Sequence, residues 1–230
     1  MKNIFLIAVS FLVSLNSFAH DGVATERDHV RLTLVDGTVK EGYIQEYWTQ
    51  GKLFRRMNTS FTMSPGADGK DVEEYDATTV DVIEFVEKLS ADGRYDRLES
   101  HLVANPSTLR PRRTVRQFVY VEGETAVGKM YWWNGVDRQA MQLGTANIST
   151  IYGVCLKGDS VIVPFMTGSV VSLNAMRIRY KRSHPGLVDY VDRRVLKGGR
   201  RLWETIAYSP MLFLEICEEW FQMQEEGDKR

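Results

Sequence analysis

The stretch Val30–Ile44, VRLTLVDGTVKEGYI, constrains the fold of this chain more than any other. Two apolar-alternating runs flank Asp36-Gly37, a dipeptide that supplies the backbone freedom a tight hairpin turn needs. Val30, Leu32 and Leu34 point one way and Arg31, Thr33 and Val35 the other, the period of a half-buried strand. The alternation slips near Gly42, and a glycine inside a strand marks a bulge or a sharp bend. Such a bend suits a small, strongly curved sheet.

More short strands follow. Val72–Tyr75 and Val80–Val86 read as extended, with Leu53–Met57 and Ser60–Met63 as weaker strand candidates, and Ser64–Gly69 carries turn chemistry. From Glu87 to Thr114 the chain turns polar and holds Asn105-Pro106-Ser107 and Arg110-Pro111-Arg112-Arg113, so a linker is expected there, with a short helix within Leu89–Leu102. Strands resume at Thr114–Val121, Ala126–Trp133, Thr150–Leu156, Ser160–Phe165, Ser169–Leu173 and Met176–Tyr180. Pro185 then suits the first turn of a helix capped by Ser183 or His184, with Leu187, Val188, Val191 and Val195 on its apolar face. Leu202–Tyr208 offers a further short helix. Pro210–Gln224 is the strongest helix, with Phe213, Ile216, Cys217 and Trp220 in one stripe and Glu215, Glu219 and Gln222 opposite. The expectation is a strand-rich α+β chain: a small curved, barrel-like β module over 20–90, a linker or short helix over 91–113, and a second antiparallel sheet covered by C-terminal helices over 114–230.

Ahead of these elements, Met1–Ala19 has the pattern of a secretory signal. Lys2 supplies the basic start, Ile4–Val13 the apolar stretch, and Ser17-Phe18-Ala19 the small residues of a cut before His20. The apolar run is shorter than the roughly 20 residues a bilayer span needs. Export to the periplasm, outer surface or medium is therefore expected, with no transmembrane segment after cleavage. The net charge of −1 singles out no nucleic-acid or membrane partner.

Two resemblances follow from these residues. The spacing of Leu32, Leu34, Asp36, Gly37, Gly42 and Ile44 resembles the first motif of Sm-like and SH3-like small barrels. The second Sm motif is missing, so the likeness implies barrel geometry and not RNA binding. The hairpin ending in Gly42-Tyr43-Ile44, then Tyr75 ahead of Val82–Phe85, then Phe118–Gly123 leading to Met130-Tyr131-Trp132, resembles a loosely defined group of exported proteins common in Bacteroidota. That resemblance implies the architecture and brings no active site.

The search for chemistry is mostly negative. No G-x-S-x-G, phosphate loop, HExxH or G-x-G-x-x-G occurs. Gly158-Asp159-Ser160 is similar to the opening of GDSL esterases but falls where a β-turn is expected, and Asp159-Ser160-Val161 resembles a short O-glycosylation acceptor. No metal site or cofactor is expected. The one copper idea joins the α-amino group and imidazole of His20 after cleavage, with His29, against the reading of a frayed terminus. Cys155 and Cys217 are the only cysteines, and a disulfide between them and two buried thiols both stay open. Arg177, Arg179 and Lys181 form a basic run that either meets an anionic surface or is one wet strand face. Trp48, Trp132 and Trp133 are candidate contact residues. Neighbours on a strand point to opposite faces, so one of Trp132 and Trp133 is expected in the core and the other outside. The expected role is a non-enzymatic binding protein with a protein or glycan partner, and the alternative is a hydrolase of an envelope or dietary polymer.

Overall fold

The computed structural model describes residues 28–47, 58–89, 95–104, 113–136, 148–165, 170–194 and 209–228. The fold is α+β and strand-rich, a curved N-terminal β module followed by a closed five-stranded barrel and C-terminal helices. Ten strands form a single sheet: β1 (His29–Leu34), β2 (Val39–Tyr47), β3 (Ser60–Ser64), β4 (Glu73–Asp76), β5 (Val80–Leu89), β6 (Tyr95–Ala104), β7 (Thr114–Thr125), β8 (Gly128–Val136), β9 (Ile148–Leu156) and β10 (Val161–Phe165). Their order is β10-β9-β8-β7-β6-β5-β1-β2-β3-β4. Three helical segments follow, α1 (Val170–Ser183), α2 (187–194) and α3 (Met211–Asp228).

The opening hairpin forms as its sequence requires. Gly37 takes φ +84°, the Gly37 N–H donates to Leu34 O, and the Leu34 N–H donates to Thr38 O, which closes a three-residue connection. Gly42 earns its place by close approach: a Cβ there would stand 2.5 Å from the Ser64 carbonyl on β3. The break in register comes just after it, between Ile44 and Glu46. These two devices bend β2 over β3. The Phe118 N–H on β7 then donates to the Asn58 carbonyl ahead of β3 at 2.7 Å, so the curved sheet curls back on itself. Val30, Leu32, Ile44, Phe61, Ile83, Phe85, Leu98 and Phe118 fill the space it encloses.

The second module is the closed barrel. Strands β6 to β10 run antiparallel in sequence order, and β10 returns to pair with β6 in parallel through Val161↔Leu102 and Ile162↔Val103. The second sheet is thus antiparallel except at its seam. Val103, Val119, Tyr131, Trp133, Ile151 and Ile162 form one buried cluster drawn from all five strands, which is the barrel interior. The opposite face of β8 to β10, with Met130, Val154, Leu156 and Val163, is covered by Met176, Tyr180, Leu187, Val191, Phe213, Cys217 and Trp220 of the helices. α1 packs along β10, while α3 lies over β7 and β8.

Two sequence expectations are corrected. Residues 95–104, read as linker or short helix, are β6, which pairs with both β5 and β7 and makes the two modules one continuous sheet. Leu98 serves one core and Val103 the other, while Glu99 and Ser100 are buried and hydrogen-bonded, so polar residues hide the period of the strand. Of the stretches read as strands, Ser169–Leu173 and Met176–Tyr180, the residues from Val170 on lie in α1 instead. Met176 and Tyr180 are buried four residues apart and Ile178 between them is exposed, a helical period that the alternation of Arg177, Arg179 and Lys181 masks. The Pro210–Gln224 helix is present as α3 with its expected stripe buried, and it runs on to Asp228.

Candidate functional site

Two of the aromatic candidates, Trp132 and Trp133, are buried. Trp132 and Trp133 do point to opposite faces of β8, but each face is covered, and their exposures are 7% and 5%. Trp132 stacks on Tyr120 with ring centroids 4.1 Å apart in the core shared with the N-terminal module. Trp133 fills the barrel beside Gly153, where a Cβ would stand 2.9 Å from its ring and 2.5 Å from Ile162 Cγ2. Trp48 and His20 lie outside the described residues. Arg177, Arg179 and Lys181 lie on α1, where Lys181 is exposed and in the last turn, a position that complements the helix dipole.

Cys155 and Cys217 are free thiols. Cys155 packs against the barrel interior, whereas Cys217 packs with Val154 and Leu156 on the other face of β9, so the strand itself separates them. Burial pushes the Cys155 thiol up to about 11, helped by the charges of Asp159 and Glu99, and burial alone pushes Cys217 to about 12. Neither is a ready thiolate.

The chemistry that the structure does assemble lies at the polar end of the barrel interior. Glu99, 8% exposed, is its centre. Tyr131 Oη donates to Glu99 Oε2 at 2.9 Å, and His101 Nε2 lies 2.9 Å from the same oxygen and 3.0 Å from Tyr131 Oη. An ionised carboxylate only accepts, so Nε2 is the protonated ring nitrogen. Lys129 Nζ donates to Oε1 at 3.2 Å, and Arg97 reaches the same oxygen. Burial would raise the Glu99 carboxyl, but the hydrogen bonds from His101 and Tyr131 and the charges of Lys129 and Arg97 outweigh it and hold it down at about 2. Burial and the Glu99 charge push the Tyr131 phenol far up. Both carboxylate oxygens are therefore occupied, and the group is poor as a general base.

The sequence carried one half of this signal. Glu99-x-His101 and Lys129-x-Tyr131 each repeat at the two-residue spacing that shares a strand face. Nothing local says that the two strands meet.

A second constellation joins barrel to helices. His184 Nδ1 is 2.9 Å from Ser183 Oγ and 3.8 Å from Asp159 Oδ2 of the β9–β10 turn. Its ring sits edge-on to Tyr180, Trp220 and Phe221. Both polar contacts fall on one nitrogen, so this is not the relay of a serine nucleophile, which needs a partner on each. It pins the α1–α2 corner to the barrel. Burial raises the Asp159 carboxyl against the opposing charges of His184 and Arg179. Ser160 beside it is exposed.

Among the described residues, Lys40, Glu41, Met63, Pro65, Glu73 and Tyr75 line an open cup of about 240 Å³. Lys40 Nζ donates to Glu73 Oε2 at 2.8 Å and to Tyr75 Oη at 2.9 Å, and lies 5.1 Å above the Tyr75 ring centroid. Tyr75 Oη donates in turn to Glu73. Hydrogen bonds from Lys40 and Tyr75 hold the Glu73 carboxyl below its usual range. The cup reaches β4, which ends the order of the sheet and pairs with β3 alone among the described strands. Sequence reasoning missed it because its walls come from three successive strands, β2, β3 and β4, and only their pairing and bending bring the lining residues together.

Among the described residues no group of three or more His, Cys, Asp or Glu is arranged to hold a metal ion, and no helix is long and apolar enough to cross a membrane. Neither a protein-family description, nor a characterised protein, nor a solved structure matches this chain.

Proposed function

We propose that this is an exported protein of the cell envelope or its surroundings that binds a partner rather than transforming a substrate. The export half rests on Lys2, the apolar Ile4–Val13 and the small residues Ser17 and Ala19 ahead of His20. The binding half rests on one observation, the cup beside the terminal strand β4. An extended polypeptide laid along a sheet edge gains backbone hydrogen bonds there, and a neighbouring cup receives one of its side chains. The Lys40, Glu73 and Tyr75 groups offer a cation, a carboxylate and a phenol to that side chain. A polypeptide fits this arrangement better than a glycan, because the Tyr75 ring is buried under Lys40 and offers no open stacking face. A hydrolytic role has less support: Glu99 is saturated, both thiols are raised, and His184 is enclosed.

The test is an array of extended peptides and oligosaccharides probed with the mature chain and with Lys40→Ala/Glu73→Ala. Wild type should bind a subset of peptides, and the double variant should bind them about tenfold more weakly. Binding to oligosaccharides alone would reassign the partner. Turnover of chromogenic glycosides, esters or peptides, with no stable binding, would overturn the reading.

A further inference from the structure

The helical layer carries two outward faces of opposite charge. On α1, Ile178 is 46% exposed, and Lys181 and Arg182, three and four residues on, share its side of the helix. This side is opposite the buried Met176 and Tyr180, so it looks away from the barrel. On α3 the corresponding outward side carries Glu215, Glu218, Gln222, Glu225 and Glu226. Met223, 54% exposed, lies at the flank of this stripe, where α3 runs past its covered length. Among the described residues neither Lys181 and Arg182 nor Glu215, Glu218, Glu225 and Glu226 make an ion pair. The α3 carboxylate that is paired, Glu219, is held by Arg194 and Tyr190 within the layer.

We propose that a second copy of this chain covers this layer, with α1 of each copy set against α3 of the other. A two-fold rotation places one patch on its complement twice over, the requirement of an isologous interface. α1 and α3 contribute to one buried cluster, and His184, next after α1, meets Trp220 and Phe221 of α3, so the two helices approach each other in the layer. Stacking two such layers brings the basic side of α1 onto the acidic side of α3 twice, with Ile178 and Met223 supplying apolar contact. A uniformly anionic surface fits less well, because the carboxylates of α3 beside α1 would be repelled by it. A uniformly basic partner meets the reverse conflict at Lys181 and Arg182.

Sedimentation of the mature chain at low ionic strength tests this. A dimer is expected, weakened as salt rises, because exposed charge pairs are screened. Lys181→Glu/Arg182→Glu and, separately, Glu225→Lys/Glu226→Lys should each weaken self-association about tenfold or more, and mixing the two variants should restore a heterodimer. All four side chains are exposed, and an unchanged melting temperature of the monomer shows that each variant folds. A wild-type chain that stays monomeric overturns the proposal, as do variants that dimerise like wild type. A monomer retained by phosphatidylglycerol vesicles through Lys181 and Arg182 would overturn it in favour of a membrane surface.

Discussion

Tyr131 Oη donates a 2.9 Å hydrogen bond to Glu99 Oε2, although β6 and β8, which carry them, are not neighbours in the sheet. β7 stands between the two strands, and Glu99 pairs with Val119 while Tyr131 pairs with Val121. In a flat sheet the intervening strand would put them about 10 Å apart. Closure of β6 to β10 into a narrow barrel turns both residues inward and removes that gap.

Glu99→Gln should destabilise the fold by about 2 kcal/mol. Breaking a buried ion pair costs about 3–5 kcal/mol, and the partly exposed Arg97 and Lys129 reduce that figure. The same residue sets an acid limb. Its carboxyl is held at about 2 against an ordinary 4.5, so its stabilisation is complete above pH 4.5 and is lost as pH falls from there towards 2. Urea melts at stepped pH would show wild type losing that increment while the variant lacks it. Equal acid sensitivity in the two chains would contradict the assignment.

Tyr131→Phe removes the hydroxyl and leaves the ring, so packing against Trp133 and Val119 is retained. A hydrogen bond to a charged group contributes about 1.5–3 kcal/mol, and His101 and Lys129 remain to serve Glu99, so the cost should fall near the lower bound. In the double variant with Glu99→Gln the effects should be clearly less than additive. Additive losses in a double-mutant cycle would mean that the two groups are not coupled.

Gly153→Ala tests the barrel interior by volume. The added methyl would meet Ile162 Cγ2 at 2.5 Å and the Trp133 ring at 2.9 Å, both in a closed core, and overpacking of this kind costs about 1–3 kcal/mol. Ile162→Ala removes Cγ2, so in thermal melts it should cost less in the Gly153→Ala chain than in wild type. Gly37→Ala offers a contrast: nothing lies within 4 Å of its Cβ position, so the penalty of about 1–2 kcal/mol comes from φ +84° alone, and no second-site truncation relieves it.

The two cysteines should remain reduced in the folded chain, even after passage through an oxidising compartment, because β9 separates them. Their raised thiols predict slow reaction with Ellman's reagent at pH 8 in the native state and two fast equivalents after denaturation. Mass spectrometry after alkylation counts them. A chain that takes up no label until it is reduced would show a disulfide instead.

Local signals were enough for much of this architecture. Asp36-Gly37 sets the first hairpin because its turn geometry is decided within a few residues. Phe213, Ile216, Cys217 and Trp220 define α3 because a helical stripe is a local period. The strands β7 to β10 were legible by alternation and by turns such as Lys157-Gly158-Asp159. Local reading failed where two faces compete. β6 serves the two cores with Leu98 and Val103 and buries Glu99 and Ser100 between them, so its pattern looks polar. In α1 the charges at 177, 179 and 181 imitate a strand, and only packing on β10 shows that Met176 and Tyr180 set the period.

The sequence by itself determined the class of the protein, the hairpin that starts it and the helix that closes it, since each depends on contacts within a turn or along one element. The tertiary structure alone decided that β10 returns to β6, that both faces at Trp132 and Trp133 are covered, and that Glu99, His101, Lys129 and Tyr131 form one cluster. Those relations depend on curvature and closure, which are set by the sum of packing across many strands and are written in no short stretch of residues.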